Sequence, residues 1–320
     1  MKVRDLSLAG TVSVVVTVVL MGVIILTADS DLILWVAEHF GKSPASLAGQ
    51  VVWITGASSG IGEELAYVLA AAGCRLVLSA RRLQELNRVK QRCVDEYGVR
   101  PEDVLVLPLD VKKFDTHQDA VDTVLKHFSH IDILVNNAGR SQRALITNTS
   151  LDVDKEILEV NTLGPLSLTK AVLPHMIARQ SGHIVVVSSM VGRIGVVGLG
   201  SYAASKHALH GWFDTLRMEV FQENISVSLV CPGPVFSDLY IHALTGKIGE
   251  ELGIEMKPDD HRMATNRCSQ LIAIAMANQL DEAWISMHPE LSYLYLNQVA
   301  LKVGARRLKN IREGRRNLHK

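Results

Sequence analysis

Three hydropathy regimes divide the chain. Between Asp5 and Asp29 there is no charged residue, and Leu8–Thr27 reads LAGTVSVVVTVVLMGVIILT. At about 1.5 Å rise per residue, a helix of this run is long enough to cross a ~30 Å hydrocarbon core. From Val51 the pattern changes to short apolar runs alternating with amphipathic stretches. The runs at 51–55, 75–79, 104–107, 131–136, 184–188 and 226–231 are continuous in Val, Ile and Leu, as strands covered on both faces are. Residues 283–286 offer a seventh. Segments 61–72, 83–96 and 116–128 have helix length. Strand and helix in alternation predict an α/β fold with a doubly wound parallel sheet. From Leu291 apolar and basic residues mix at roughly helical spacing. Beyond Val303 stand Arg306, Arg307, Lys309, Arg312, Arg315, Arg316 and Lys320 against Glu313 alone.

These shifts give four regions: an N-terminal membrane anchor at 1–28, a linker at 29–47, one domain at 48–290 and a basic C-terminal tail at 291–320. No internal repeat or low-complexity linker interrupts the domain. A cleaved signal peptide is the alternative to the anchor, with Ala28-Asp29-Ser30 as a small-x-small site. The run is longer than the roughly 7–15 residues of a signal h-region, which favours a retained single span. Lys2 and Arg4 before the run, with Asp29 and Asp31 after it, orient the domain away from the cytosol by the positive-inside rule. Sequons at Asn148 and Asn224 agree with a lumenal domain. A basic tail on anionic headgroups favours the cytosolic face, so the orientation stays open.

Composition narrows the function. The 320 residues carry 33 Lys+Arg and 33 Asp+Glu, a formal charge of zero, which argues against bulk electrostatic nucleic-acid binding. A hydrophobic share of 48% supports a large core. The four cysteines, Cys74, Cys93, Cys231 and Cys268, form no CxxC and no zinc spacing, and no metal is expected.

The first strand runs into Thr55-Gly56-Ala57-Ser58-Ser59-Gly60-Ile61-Gly62. Glycines at a strand-to-helix turn let the backbone approach a pyrophosphate, whose charge the helix N-terminus stabilises. This is the dinucleotide cradle of a Rossmann-like domain. The second strand ends Ser79-Ala80-Arg81-Arg82. A carboxylate there would accept a ribose 2′-hydroxyl, whereas an arginine pairs with a 2′-phosphate. Arg81, with Arg82 beside it, therefore favours NADP(H). Asp110-Val111 and Asn137-Ala138-Gly139 follow the third and fourth strands, on the sheet edge where ligands bind. Ser189 closes the fifth strand. Tyr202 and Lys206 are four apart on a helix and share a face. A phenol titrates near 10 and is a poor base at neutral pH, and a neighbouring ammonium brings it closer to working range. A serine hydroxyl nearby can hold a substrate oxygen. Between them, Met190–Leu199 reads as one wall of a lipophilic pocket.

On these motifs the chain resembles the short-chain dehydrogenase/reductase family over about residues 48–290. TGASSGIG at 55–62, NNAG at 136–139, Asn161, Ser189, YAASK at 202–206 and PG at 232–233 fall in the family's order. The resemblance implies a tetrad of Asn161, Ser189, Tyr202 and Lys206. In it Tyr202 exchanges the proton and Lys206 binds the nicotinamide ribose and lowers the phenol pKa. Ser189 orients the carbonyl, and Asn161 holds a relay water. The Pro232-Gly233 turn is implied beside the cofactor, with Val235 against the nicotinamide carboxamide. With its N-terminal hydrophobic segment, LVLSARR, LTKAVLPHMI and YAASKHAL, the chain is similar to the membrane-bound group of members seven and seven-B. It is similar at lower resolution to the microsomal 11-beta-hydroxysteroid dehydrogenases. That group implies a single-pass endoplasmic-reticulum protein acting on a lipophilic carbonyl or alcohol, such as a steroid or retinoid, and a possible homodimer. The rival expectation is a membrane-tethered NADP-binding scaffold with little turnover.

Overall fold

The computed structural model describes residues 27–295, with positions 12, 13, 16 and 22 ahead of them. The described residues build a seven-stranded sheet in the order β3-β2-β1-β4-β5-β6-β7. The strands are β1 (Val51–Thr55), β2 (Arg75–Ser79), β3 (Val104–Val106), β4 (Ile133–Asn136), β5 (Gly182–Val187), β6 (Ile225–Pro232) and β7 (Glu282–Ile285). Every neighbouring pair is parallel. The order reverses between β1 and β4, which opens a crevice beyond the carboxyl ends of those strands.

Strand alternation sends Val52 and Ile54 to one face and Val51 and Trp53 to the other, and all four are buried. The first face is covered by α2 (Gly60–Ala71), α3 (Leu83–Tyr97) and α8 (Thr265–Ala277), through Leu65, Leu69, Leu86, Val89, Leu271 and Met276. The second is covered by α4 (His117–Phe128), α6 (Gly164–Arg179) and α7 (Gly200–Glu219), through Val121, Val124, Leu168, Val172, Leu209 and Phe213. Both faces are therefore dry, which is why the strands lack polar alternation. Helix α5 (Leu151–Leu158) precedes α6, and α9 (Glu290–Tyr295) ends the described chain.

The stretch expected to be a linker at 29–47 is instead part of the domain. It holds α1 (Leu32–Phe40), capped by Asp31 Oδ1, which accepts from the Leu34 amide at 3.0 Å. Ser30 pairs antiparallel with Ile285, and Asp31 Oδ2 accepts from the Trp284 amide at 2.5 Å, so the segment covers the outer edge of β7. Arg267 on α8 clamps it, 2.7 Å from Asp29 and 2.5 Å from Glu38. Only Leu34 and Ala37 of α1 are buried. Its partner Arg267 lies 229 residues from Glu38 in the sequence, so no local pattern reveals the packing.

Among the described residues no helix is long and apolar enough to cross a membrane. The expected anchor lies outside them except for its few described positions, and most of the basic tail, from residue 296, lies outside them too.

Candidate active site

The crevice is built from its glycines outward. Gly56 and Gly60 have φ of +67° and +60°, a region that strains residues with a side chain. A Cβ on Gly62 would lie 2.4 Å from the Gly56 carbonyl oxygen and 2.5 Å from Asn137 Nδ2. Helix α2 thus starts hard against the turn. Ser59 stands at its N-cap without a side-chain cap bond, leaving first-turn amides for a ligand. Asn137 closes the loop from the β4 side, donating to the Thr55 carbonyl at 2.9 Å and the Gly56 carbonyl at 3.3 Å. The Thr55 hydroxyl accepts from the amides of Asn137 at 3.0 Å and Ala138 at 3.1 Å. An uncapped helix start, glycines with no room for a Cβ and a rigid floor fit a dinucleotide pyrophosphate.

Of the two arginines after β2, Arg82 reaches the loop. Its guanidinium donates to the hydroxyls of Ser58 at 3.1 Å and Ser59 at 2.9 Å. The sequence reading rested the phosphate contact chiefly on Arg81. After β3, Asp110 accepts from the Lys112 amide at 3.1 Å, and Val111 packs against Gly164, where a Cβ would lie 2.8 Å from the Val111 carbonyl oxygen.

Tyr202 and Lys206 lie buried on α7, as their spacing predicts. Lys206 Nζ donates to the Val187 carbonyl at 2.8 Å and stands 5.7 Å from the Tyr202 ring centroid. Burial pushes this ammonium down to about 8. Ser189, two residues past β5, stands close enough to the phenol to favour its ionised form. Its hydroxyl also donates to the Pro232 carbonyl at 3.2 Å. Burial raises the Tyr202 pKa, while the Ser189 hydroxyl and the charge of Arg143 oppose the rise. Arg143, four residues beyond Gly139, is the functional side chain the sequence reading missed. Its charge favours the phenolate of Tyr202, as the family resemblance expects the charge of Lys206 to do.

Asn161 sits in a π-helical turn, Glu159–Leu163, between α5 and α6. Such turns recur at functional sites because they re-aim a side chain inside a helix. Its carboxamide accepts from the Arg140 amide at 2.7 Å and donates to the Arg140 carbonyl at 2.9 Å and Ser205 Oγ at 3.0 Å. A Cβ on Gly139 would lie 3.4 Å from Asn161 Oδ1 and 3.8 Å from Lys206 Nζ, so these three residues meet. The turn after β6 lies alongside: Gly233 is pressed between Ser286 and Met190, and Val235 bridges to Met263. In the expected pocket wall, Met190 and Ile194 are buried with Leu291, while Val196 and Val197 stay exposed.

Behind Lys206, His210 Nε2 lies 3.0 Å from Ser188 Oγ and 3.7 Å from Cys231 Sγ, and its Nδ1 lies 3.9 Å from Glu282. Glu282 is already paired with Arg193 and Trp284. Its carboxylate and the Cys231 thiol thus neighbour different ring nitrogens.

A glycine cradle at a topological switch point, with a serine, tyrosine and lysine gathered beside it, defines a nucleotide-dependent oxidoreductase. The family model for short chain dehydrogenases matches residues 50–245, and the chain belongs to that family. It is 48% identical over 299 residues to human dehydrogenase/reductase SDR family member 7, covering 90% of this chain and 88% of the relative. Mouse family member 7B is 39% identical over 204 residues, 64% of this chain and 63% of its own. A short-chain dehydrogenase structure from Streptomyces avermitilis superposes with TM-score 0.67 at 26% identity, covering 83% of this chain and 99% of that one. An alcohol dehydrogenase from Thermococcus sibiricus, solved with 5-hydroxy-NADP, gives 0.65 at 26% identity, covering 75% and 97%. The chain is thus a nicotinamide-dependent oxidoreductase of the short-chain type that acts on a small molecule.

Proposed function

We propose that this protein is an NADP(H)-dependent reductase of lipophilic carbonyl compounds, held by its N-terminal segment in the endoplasmic-reticulum membrane. The observation that carries the reading is the gathering of Ser189, Tyr202, Lys206 and Asn161 at the mouth of the glycine cradle.

When bound, the nicotinamide supplies or accepts the hydride at the carbonyl carbon. The first-turn amides of α2, Gly56–Gly62 and Asn137–Gly139 would hold the pyrophosphate side of the dinucleotide. Arg82 and Arg81 would hold a 2′-phosphate, and Lys206 the nicotinamide ribose. Ser189 orients the substrate oxygen toward Tyr202. The Tyr202 hydroxyl then gives its proton to that oxygen, and the phenolate is left beside Arg143 and Ser189, which both stabilise it. A proton returned from solvent by way of Lys206 and the Asn161 turn restores the phenol. Run in reverse, the same groups oxidise an alcohol.

Membrane attachment has its own support. The uncharged run ends at Ala28, and the chain joins the sheet edge at Ser30, so an anchor formed by that run would lie directly beside the domain. Helix α1 turns Ile33, Val36 and Phe40 outward, giving that side an apolar surface. Pairing between copies would use the helices that carry Asn161 and Tyr202, by resemblance to the family.

A panel of steroid, retinal and aromatic ketone substrates with NADPH tests the activity. Consumption of NADPH with at least one supports it, whereas NADPH binding without turnover on any favours a scaffold. Carbonate extraction tests the anchor: full-length protein in the pellet and release on deletion of residues 1–28 are expected. A mature N-terminus at Ser30 or Asp31 would show a cleaved signal.

A further inference from the structure

Among the described residues, the half-buried Arg143 makes no ion pair. Its Nε is shielded from solvent and has no hydrogen-bond acceptor. A guanidinium stays charged at any physiological pH, so removing it from water without a counterion is costly. Two acids of the segment after β6 are paired with other residues. Glu251 is held by Arg140 at 2.7 Å and His242 at 2.8 Å, and Asp260 by Arg262 at 3.4 Å. What Arg143 does meet is the ring of Tyr240, 5.1 Å from Cζ, and Arg262 lies 4.9 Å from the same ring. A cation–π contact offsets only part of the lost hydration. Two arginines on one ring concentrate positive charge there.

The backbone fixes this arginine in place. The Arg143 amide donates to the Leu244 carbonyl at 2.7 Å, and the Ala144 amide to the Gly198 carbonyl at 3.1 Å. Arg143 is therefore stapled between the 196–199 loop and the loop after β6. These loops carry the exposed side chains Val196, Val197 and Leu239. Its charge also reaches the Tyr202 phenol. One anion-seeking group, flanked by apolar side chains, thus stands within electrostatic reach of the proton donor.

We propose that Arg143 binds a carboxylate carried by the substrate, so that the favoured substrates are oxo-carboxylates with an apolar body. This rests on the reductase reading and names its substrate class. The carboxylate supplies the counterion that the fold withholds, and the apolar loops accept the body. The reaction is unchanged, with hydride to the carbonyl carbon and the Tyr202 proton to its oxygen.

The test compares 4-formylbenzoate, phenylglyoxylate and 3-benzoylpropionate, each beside its methyl ester, in the full-length protein with NADPH. The three differ in the spacing between carboxylate and carbonyl. The expected result is a wild-type kcat/KM favouring at least one acid over its ester by about 10–100-fold, the worth of a charged hydrogen bond. Arg143→Gln should bring that ratio to one or below, and Arg143→Lys should keep part of it. Because acid and ester share the reacting carbonyl, the ratio cancels any effect of Arg143 on Tyr202. NADPH fluorescence titration shows that each variant is folded, and Arg143→Lys serves if the Gln variant is not. Esters preferred by the wild type, or an acid preference that survives Arg143→Gln, would overturn the proposal while leaving the reductase intact. Wild type that binds NADPH and reduces neither acids nor esters nor neutral ketones would overturn both.

Discussion

Lys206 Nζ is tied to the Val187 carbonyl at 2.8 Å and stands 5.7 Å from the centre of the Tyr202 ring. The ammonium is thus anchored by the end of β5, on the side where the fourth and fifth strands meet the cofactor crevice. Burial brings it down to about 8. In the proposed role of Lys206 at the nicotinamide ribose, its charged form would favour the cofactor and its neutral form would not. NADPH affinity should therefore fall as pH rises through about 8, and binding in that range should take up protons. Isothermal titration in buffers of different ionisation enthalpy measures the uptake. In Lys206→Met the pH-dependent limb should vanish and affinity should be low throughout.

The two arginines after β2 have separable roles. Arg82 touches Ser58 and Ser59, so its loss disturbs the loop as well as any phosphate contact. Arg81→Ala should weaken NADPH by roughly 10–100-fold and leave NADH nearly unchanged. Arg82→Ala should weaken both, NADPH more. Fluorescence titration with each cofactor reads this, and equal losses for NADPH and NADH in both variants would speak against 2′-phosphate recognition.

Acid should destabilise the domain through its buried imidazoles. His183 is buried, Nε2 2.8 Å from Ser228 Oγ, and burial holds its pKa down to about 4 from 6.5. Burial lowers His210 as well. The unfolded chain takes up these protons near 6.5 and the folded chain only near 4. Stability is therefore lost as pH falls through that window, by up to about 3 kcal/mol for His183. Urea midpoints between pH 7 and 4 measure the slope. His183→Gln should flatten it.

Residues close in sequence made most of the site legible. The Gly56–Gly62 turn, the Tyr202–Lys206 spacing and the strand-end positions of Asn137 and Ser189 follow from local patterns, and the structure brings them together. Strand edges moved by a residue or two, as for 131–136, where Ile131 is buried but precedes β4. What stayed hidden depends on distant partners. Helix α1 reads as a linker until Arg267 and the β7 edge are known. Arg143 carries no local signal, because its surroundings come from Tyr240 and Leu244, about a hundred residues away. The reach of Arg82 over the serines depends on a rotamer that no spacing specifies.

The proton donor carries the central claim, and removing one oxygen tests it. Tyr202→Phe keeps the ring and its packing, so NADPH affinity should stay within a few-fold of wild type. Single-turnover NADPH oxidation with an active carbonyl substrate should slow by about 10²–10⁴-fold, the worth of a positioned general acid. A Tyr202→Phe protein that binds NADPH and oxidises it at the wild-type rate would contradict the account.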